Sequence, residues 1–221
     1  SMLKTFFELE MDSKGNVIDN SHYFDGTQIL RAGDAYTQHM GRYPVISVSL
    51  KSGKQPDFQT AYDCLIELIA NEYRRHAYVL DDPHILSEDK EKYRAIMGRR
   101  AQTGGYVTAL AFLAACLRQY HGRQVVVLVD EYDVPLENAY FRGFYDQMID
   151  FIRSLFESVL KTNDDLEFAV VTGCLRVGRE SIFTGLNNLE INSVLNDNFA
   201  EYFGFTGAEV EQMLAFYGIL D

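Results

Sequence analysis

No stretch of this sequence approaches the roughly 20 consecutive apolar residues that a helix needs to cross a bilayer. The longest candidates, Val125–Val129 and Ala109–Leu117, fall far short. A signal peptide is missing too, because Phe6 and Phe7 stand among Lys4, Glu8 and Glu10 without an apolar core. Cysteine is scarce: Cys64, Cys116 and Cys174 form no C-x-x-C pair. That excludes a structural zinc site built on cysteine pairs and predicts a reducing compartment, the cytoplasm. His22, His39, His76, His84 and His121 show no H-x-x-x-H spacing, so no metal site made wholly of protein ligands is expected. Positive charge is the minority, 20 Lys and Arg against 32 Asp and Glu, for a net charge of −12. Such a chain repels a phosphate backbone, and no direct nucleic-acid binding is expected from it. The small basic islands Arg74-Arg75-His76 and Arg99-Arg100 read as solvated helix faces. A G-x-S-x-G elbow is absent, which removes a serine hydrolase of that kind. There is no internal repeat and no low-complexity segment.

What is present is ordinary globular material, 47% hydrophobic and 24% charged over 221 residues. That suffices for one substantial α/β domain, or a domain with an appendage. Ser1–Leu9 reads as the tail of an amphipathic helix with no cap before it, and Ile29–Met40 as a short helix stopped by Gly41. Val45–Leu50 is β-branched and bounded by Pro44 and Ser52-Gly53, which predicts a strand. Apolar residues then recur at helical spacing from Phe58 to Tyr73, and again from Tyr106 to Leu117. Gln124–Val129 is an unbroken apolar run, as expected of a strand covered on both faces. Phe141, Phe144, Tyr145, Met148, Ile152, Leu155, Phe156 and Val159 predict one strong helix, and Phe168–Val171 a second buried strand. Alternating strands and helices imply parallel pairing with right-handed crossovers. Near the end, Thr206 and Glu209 fit a capping box, Phe205 and Val210 a hydrophobic staple, and Gly218 a stop.

The stretch that carries chemistry is Val125–Asp133, VVVLVDEYD. A hydrophobic strand ending in Asp-Glu has the pattern of a Walker B motif. An aspartate at the carboxyl end of a central strand can hold Mg²⁺ against the phosphates of a nucleotide. The glutamate beside it points to the other side of the strand end and can orient or deprotonate a water. A strand that ends in a carboxylate for solubility alone gives the same letters. The matching Walker A is not in the sequence. Gly53-Lys54 is followed by Gln55, and Val48 stands where the first glycine of G-x-x-x-x-G-K-[ST] belongs.

Three segments together, YPVISVSLKSGKQPDF, the long run from VVVLVDEYDVPLENAYF to SIFTGLNNL, and EYFGFTGAEV, closely resemble the prokaryotic AAA-ATPase-like family. The resemblance runs from about Ser1 to Asp221. It implies a three-layer αβα fold of the P-loop NTPase type, ASCE/AAA-like, with a mostly parallel sheet lacking its first strand and P-loop. In the family a Gly-Lys-Ser/Thr loop lies a few residues before the counterpart of Met2–Glu8, so the chain looks truncated just after Walker A. The absent strand is central in such a sheet, and its loss invites self-association, a segment swap or insertion of the N-terminal helix. By the same resemblance Asp130 organises magnesium, Glu131 is the catalytic base, and Thr172 senses the γ-phosphate or the attacking water. Arg176 and Arg179 are candidates for stabilising charge on the phosphoryl group, against ion pairing with Glu180 or Glu131. ATP and Mg²⁺ are the cofactors implied for the intact protein, with none expected on this fragment. Relatives commonly carry a C-terminal PD-(D/E)XK nuclease-like domain. The boundaries expected are 1–186 for the ATPase-like core and 187–221 for the start of a helical lid region.

Two other readings compete. Asp81 with Glu88-Asp89-Lys90 loosely imitates a metal-nuclease pattern, but on a polar, helix-like stretch where such carboxylates do not belong. The other is a nucleotide-independent regulatory or interaction module on an ATPase-like scaffold. The missing P-loop favours it, and the paired acids Asp130-Glu131 count against it.

Overall fold

The amino-terminal helix α1 (Met2–Phe7) begins on a cap of its own, because the Ser1 hydroxyl accepts the Lys4 N–H at 3.3 Å. This corrects the expectation of an uncapped start. The computed structural model describes residues 1–12, 15–174, 182–183, 189–193, 196, 198–199 and 204–219. Residues 1–186 and 187–221 form separate compact units.

In the first unit a small antiparallel hairpin, β1 (Glu10–Met11) and β2 (Val17–Ile18), follows α1. The helix expected over 29–40 is instead a 3₁₀ turn, Ile29–Arg31, and a single turn α2 (Asp34–Thr37). Gly33 separates them with a φ of +99°, which no right-handed helix accommodates. The chain then runs β3 (Val45–Ser49), α3 (Phe58–Arg75), α4 (Ser87–Met97), α5 (Thr103–Val107), α6 (Ala109–His121), β4 (Val125–Asp130), α7 (Val134–Arg142), α8 (Tyr145–Leu160) and β5 (Leu166–Val171). Two helices expected to be continuous are broken. Thr108 separates α5 from α6, and Gly143, at φ +82°, ends α7 in a left-handed cap before α8 begins. As a result Phe141, read as part of the buried stripe, is 76% exposed.

β3, β4 and β5 lie side by side, all parallel, with β4 in the middle. Successive side chains alternate between the faces of a strand, so each strand serves two cores. Ile46, Val48, Val125, Val127 and Val129 join the large core with α3, α6 and α8. Val45, Val126 and Leu128 join a smaller one with Tyr43, against which Phe7, Phe168 and Val170 pack. From α8 alone Met148, Ile149, Phe151, Ile152, Leu155, Phe156, Val159 and Leu160 are buried. Each contributes about 1.5–3 kcal/mol of transfer free energy.

The two sheet edges differ. On β3 the outward-facing groups are sealed by α3: Ser47 N–H donates to Glu72 Oε1 at 2.7 Å, and the Val45 carbonyl accepts from Arg75 at 2.5 Å. The His76 ring nitrogen Nε2 stands 3.1 Å from the same carbonyl. Arg75 also pairs with Glu8 beyond α1, so the seal ties α1 and α3 to the strand. β5, expected as a buried strand, is instead only partly buried along its length, and among the described residues it ends the sheet on the other side.

In the second unit α9 (Gly207–Phe216) carries the expected capping box between Thr206 and Glu209, and Gly218 follows its end at φ +66°. The expected staple fails on its first member, since Phe205 is 75% exposed. Asp81 closes a 3₁₀ turn and Glu88, Asp89 and Lys90 lie on α4, so the nuclease-like residues stand on no strand.

Candidate functional site

Because β3, β4 and β5 are parallel, their carboxyl ends converge on one rim of the sheet, where ligands of open α/β sheets bind. β4 is buried from Val125 to Val129 and then delivers an exposed Asp130 to that rim. Thr172 follows directly on β5, held in register by its N–H donating to the Val129 carbonyl at 2.8 Å. Its hydroxyl donates to Asp130 Oδ1 at 2.5 Å. The same oxygen accepts the Glu131 N–H at 3.0 Å.

Glu131 leaves the strand sharply. Its φ is +54°, a left-handed conformation that costs a non-glycine residue about 1–2 kcal/mol. The turn sends its side chain toward β3, where Ser49 Oγ donates to Glu131 Oε2 at 3.0 Å. The two acids of β4 therefore serve opposite neighbours: Asp130 meets β5 and Glu131 meets β3. Strain of this kind persists only where the surroundings hold it, and it clusters at functional sites.

The last acid of the segment, Asp133, is 2% exposed. Its Oδ2 accepts the Cys174 N–H at 3.0 Å, and Tyr132 N–H donates to the Thr172 carbonyl at 3.1 Å. Between these bonds Gly173 lies so close that a β-carbon there would stand 2.6 Å from Asp133 Oδ1 and 2.7 Å from the Tyr132 ring. The structure thus brings together Asp130, Glu131 and Thr172 among the residues singled out from sequence. Arg176 and Arg179 lie outside the described residues, as does the Asn187-Asn188 pair. Sequence reasoning missed Ser49, Asp133 and Gly173. A hydroxyl at a strand end and a second acid after D-E-x were the available signals. Neither shows its partner, which is 82 residues away for Ser49 and 41 away for Asp133.

Among the described residues no group of three His, Cys, Asp or Glu side chains could enclose a metal, and no helix is long and apolar enough to cross a membrane. The donor set at the rim, a carboxylate beside a hydroxyl, is hard oxygen. Magnesium takes such donors one or two at a time and completes its shell with phosphates and water.

A parallel sheet flanked by helices, with an acidic pair at the carboxyl end of its middle strand, is consistent with a P-loop NTPase-like fold. The chain belongs to the AAA-ATPase-like family: the family's sequence profile, described as "Predicted AAA-ATPase", matches residues 1–183. Over 103 residues, 45% of its length, the chain is 34% identical to an "Uncharacterized protein in vnfD 5'region" of Azotobacter chroococcum mcd 1. The matched part is 20% of that protein's length, so the chain corresponds to a minor share of this relative. No solved structure matches the chain.

Proposed function

We propose that this chain is the hydrolytic part of an ATP-hydrolysing P-loop protein of the ASCE/AAA-like type, with a three-layer αβα architecture. Its phosphate-binding loop and one further strand come from residues outside these 221. The observation that carries the reading is the contact of Thr172 with Asp130 across neighbouring parallel strands, with Glu131 fixed beside it by Ser49. Among the described residues no strand pairs with the outer edge of β5, which supports an added strand on that side, as the sealed edge of β3 argues against one there.

In this reading Asp130 is the magnesium ligand, directly or through water. A bound magnesium ion neutralises charge on the β- and γ-phosphates. Thr172 gives the metal-side carboxylate a hydrogen bond that a γ-phosphate oxygen or the attacking water can compete for. Glu131, aimed away from Asp130, orients the water and accepts its proton. Arg176 and Arg179 are proposed to stabilise charge on the transferring phosphoryl group, in cis or across a subunit contact.

The test is made in the full-length protein. Glu131→Gln is expected to keep Mg-ATP binding while turnover falls by about two orders of magnitude or more. Asp130→Ala is expected to weaken magnesium-dependent binding instead. Equal turnover in wild type and Glu131→Gln removes Glu131 from the mechanism.

A further inference from the structure

Asp133 occupies the N-cap position of α7, where an aspartate ordinarily spends its carboxylate on the N–H groups of the first helical turn. Here the side chain makes no such bond. It turns away from its own helix and takes the Cys174 N–H, 41 residues on, at 3.0 Å. A carboxylate only 2% exposed is costly to bury and stays there only when hydrogen-bonded. The turn it holds has no slack. Gly173 is not in a left-handed conformation, so its backbone alone would admit alanine. Space is what demands glycine, since a β-carbon would press on Asp133 Oδ1 at 2.6 Å and on the Tyr132 ring at 2.7 Å. The residue before this contact is Thr172, whose hydroxyl sits on Asp130.

We propose that Asp133 is a positioning residue, which clamps the Thr172–Cys174 turn to the exit of β4 and so fixes the Thr172 hydroxyl against Asp130. The inference rests on the hydrolytic reading of the site and adds to it a residue that touches neither nucleotide nor metal. Three backbone-anchored links do the fixing. The Thr172 N–H binds the Val129 carbonyl, the Thr172 carbonyl receives the Tyr132 N–H, and the Cys174 N–H binds Asp133. The first two belong to the sheet ladder and its continuation. The third is the one that a side chain can switch off, and removing it frees the turn on the side away from the sheet.

The experiment combines amide hydrogen exchange with steady-state kinetics on the full-length protein and its Asp133→Ala, Asp133→Asn and Gly173→Ala variants. In Asp133→Ala, exchange across residues 172–174 is expected to rise about tenfold, while residues 125–129 stay as protected as in wild type. For Mg-ATP turnover, kcat is expected to fall about tenfold to a hundredfold with KM within about threefold, because misplacement costs rate more than ground-state binding. Gly173→Ala pushes on the same contact from the other side and is expected to reproduce both effects. Asn keeps an acceptor oxygen in place and is expected to restore most of the protection and the rate. Unchanged exchange in Asp133→Ala overturns the proposal, and so does a loosened turn with an unaltered kcat. So does loosening that spreads equally to residues 125–129, which marks a merely structural role. If the wild-type protein turns over no ATP, the hydrolytic reading and the catalytic part of this proposal fall. The clamp itself is still decided by the exchange data.

Discussion

Ser49 and Glu131 are joined across the ends of β3 and β4, the serine hydroxyl donating to Glu131 Oε2 at 3.0 Å. Ser49 pairs in register with Asp130, so the hydroxyl reaches one residue beyond its own partner. The left-handed backbone of Glu131 makes that reach possible, since an extended residue there would send its carboxylate elsewhere. The bond constrains an otherwise mobile side chain that the proposed mechanism needs in one place.

Ser49→Ala removes this restraint without touching either acid. A hydrogen bond to a charged group is worth about 1.5–3 kcal/mol, so turnover in the full-length protein is expected to fall about tenfold. The loss should be smaller than that of Glu131→Gln, and Thr at position 49 should recover part of it. Rates for Ser49→Ala equal to wild type would leave the contact without a catalytic role.

The sheet and its acidic rim were legible because burial on both faces leaves an unmistakable signature. Val125–Val129 has no polar residue to interrupt it, and the first exposed side chain is Asp130. Thr172 was legible as the residue ending the next apolar run, although that strand is only partly buried and not covered as its composition led one to expect. Ser49 and Asp133 were not, because a hydrogen bond is a property of a pair and neither partner marks the other in the sequence. The false continuity of Phe141 with the stripe of α8 has a different cause. Phe141 falls at a plausible helical spacing, but the left-handed Gly143 resets the phase, and only the backbone reveals that. The supposed staple at Phe205 failed similarly, on exposure rather than on spacing.

The seal on the β3 edge makes stability depend on acid pH in a defined way. Burial raises the carboxyl pKa of Glu72, but the hydrogen bonds from His76 and Arg75, and their charges, outweigh it and hold it at about 2. A carboxylate depressed in the folded state contributes stability that is complete above its unfolded value, near 4.5, and is lost as pH falls toward 2. The drop corresponds to about 3 kcal/mol, as an order of magnitude. His121 acts in a higher window. Burial, then repulsion from His76, lowers it from 6.5 to about 4, so it costs stability progressively as pH falls through that range. Urea unfolding from pH 7 to pH 2 is therefore expected to show midpoints that decline in two stages. His121→Gln should flatten the upper stage and Glu72→Gln the lower. An acid limb unchanged in both variants would mean that other groups set it.

The edge of β5 should behave as a sticky one. Thr172 N–H points at β4, and parallel pairing turns alternate residues outward, so Ala169 and Val171 present their N–H and C=O groups to the side on which no described strand pairs. An unprotected edge is a template for another strand. Residues 1–221 are expected to self-associate with rising concentration in sedimentation velocity. Ala169→Pro removes an outward N–H, a position where sheets tolerate proline, and should shift the species toward monomer. If both sediment alike at every concentration, this edge does not drive association.

Residues 1–221 on their own are expected neither to bind Mg-ATP tightly nor to hydrolyse it. Phosphate recognition in this class comes from backbone N–H groups of a glycine-rich loop, its lysine and the dipole of the helix that follows. The sequence contains no Gly-x-x-x-x-Gly-Lys-Ser/Thr, and Gly53, packed on Pro135, closes the 3₁₀ turn Leu50–Gly53 after β3, with Lys54 just beyond it. At the rim stand Asp130 and Glu131, which repel a triphosphate unless magnesium bridges them. The net charge of −12 adds to that repulsion, although salt screens it beyond about 8 Å. Calorimetric titration with Mg-ATP at micromolar concentrations should give no saturable heat, while the full-length protein should give a stoichiometric transition. Tight binding by residues 1–221 would mean that a phosphate site of another kind lies within them. Failure of the full-length protein to bind would instead favour a scaffold that works without nucleotide, and would leave the strained Glu131 turn as a structural joint between β3 and β4.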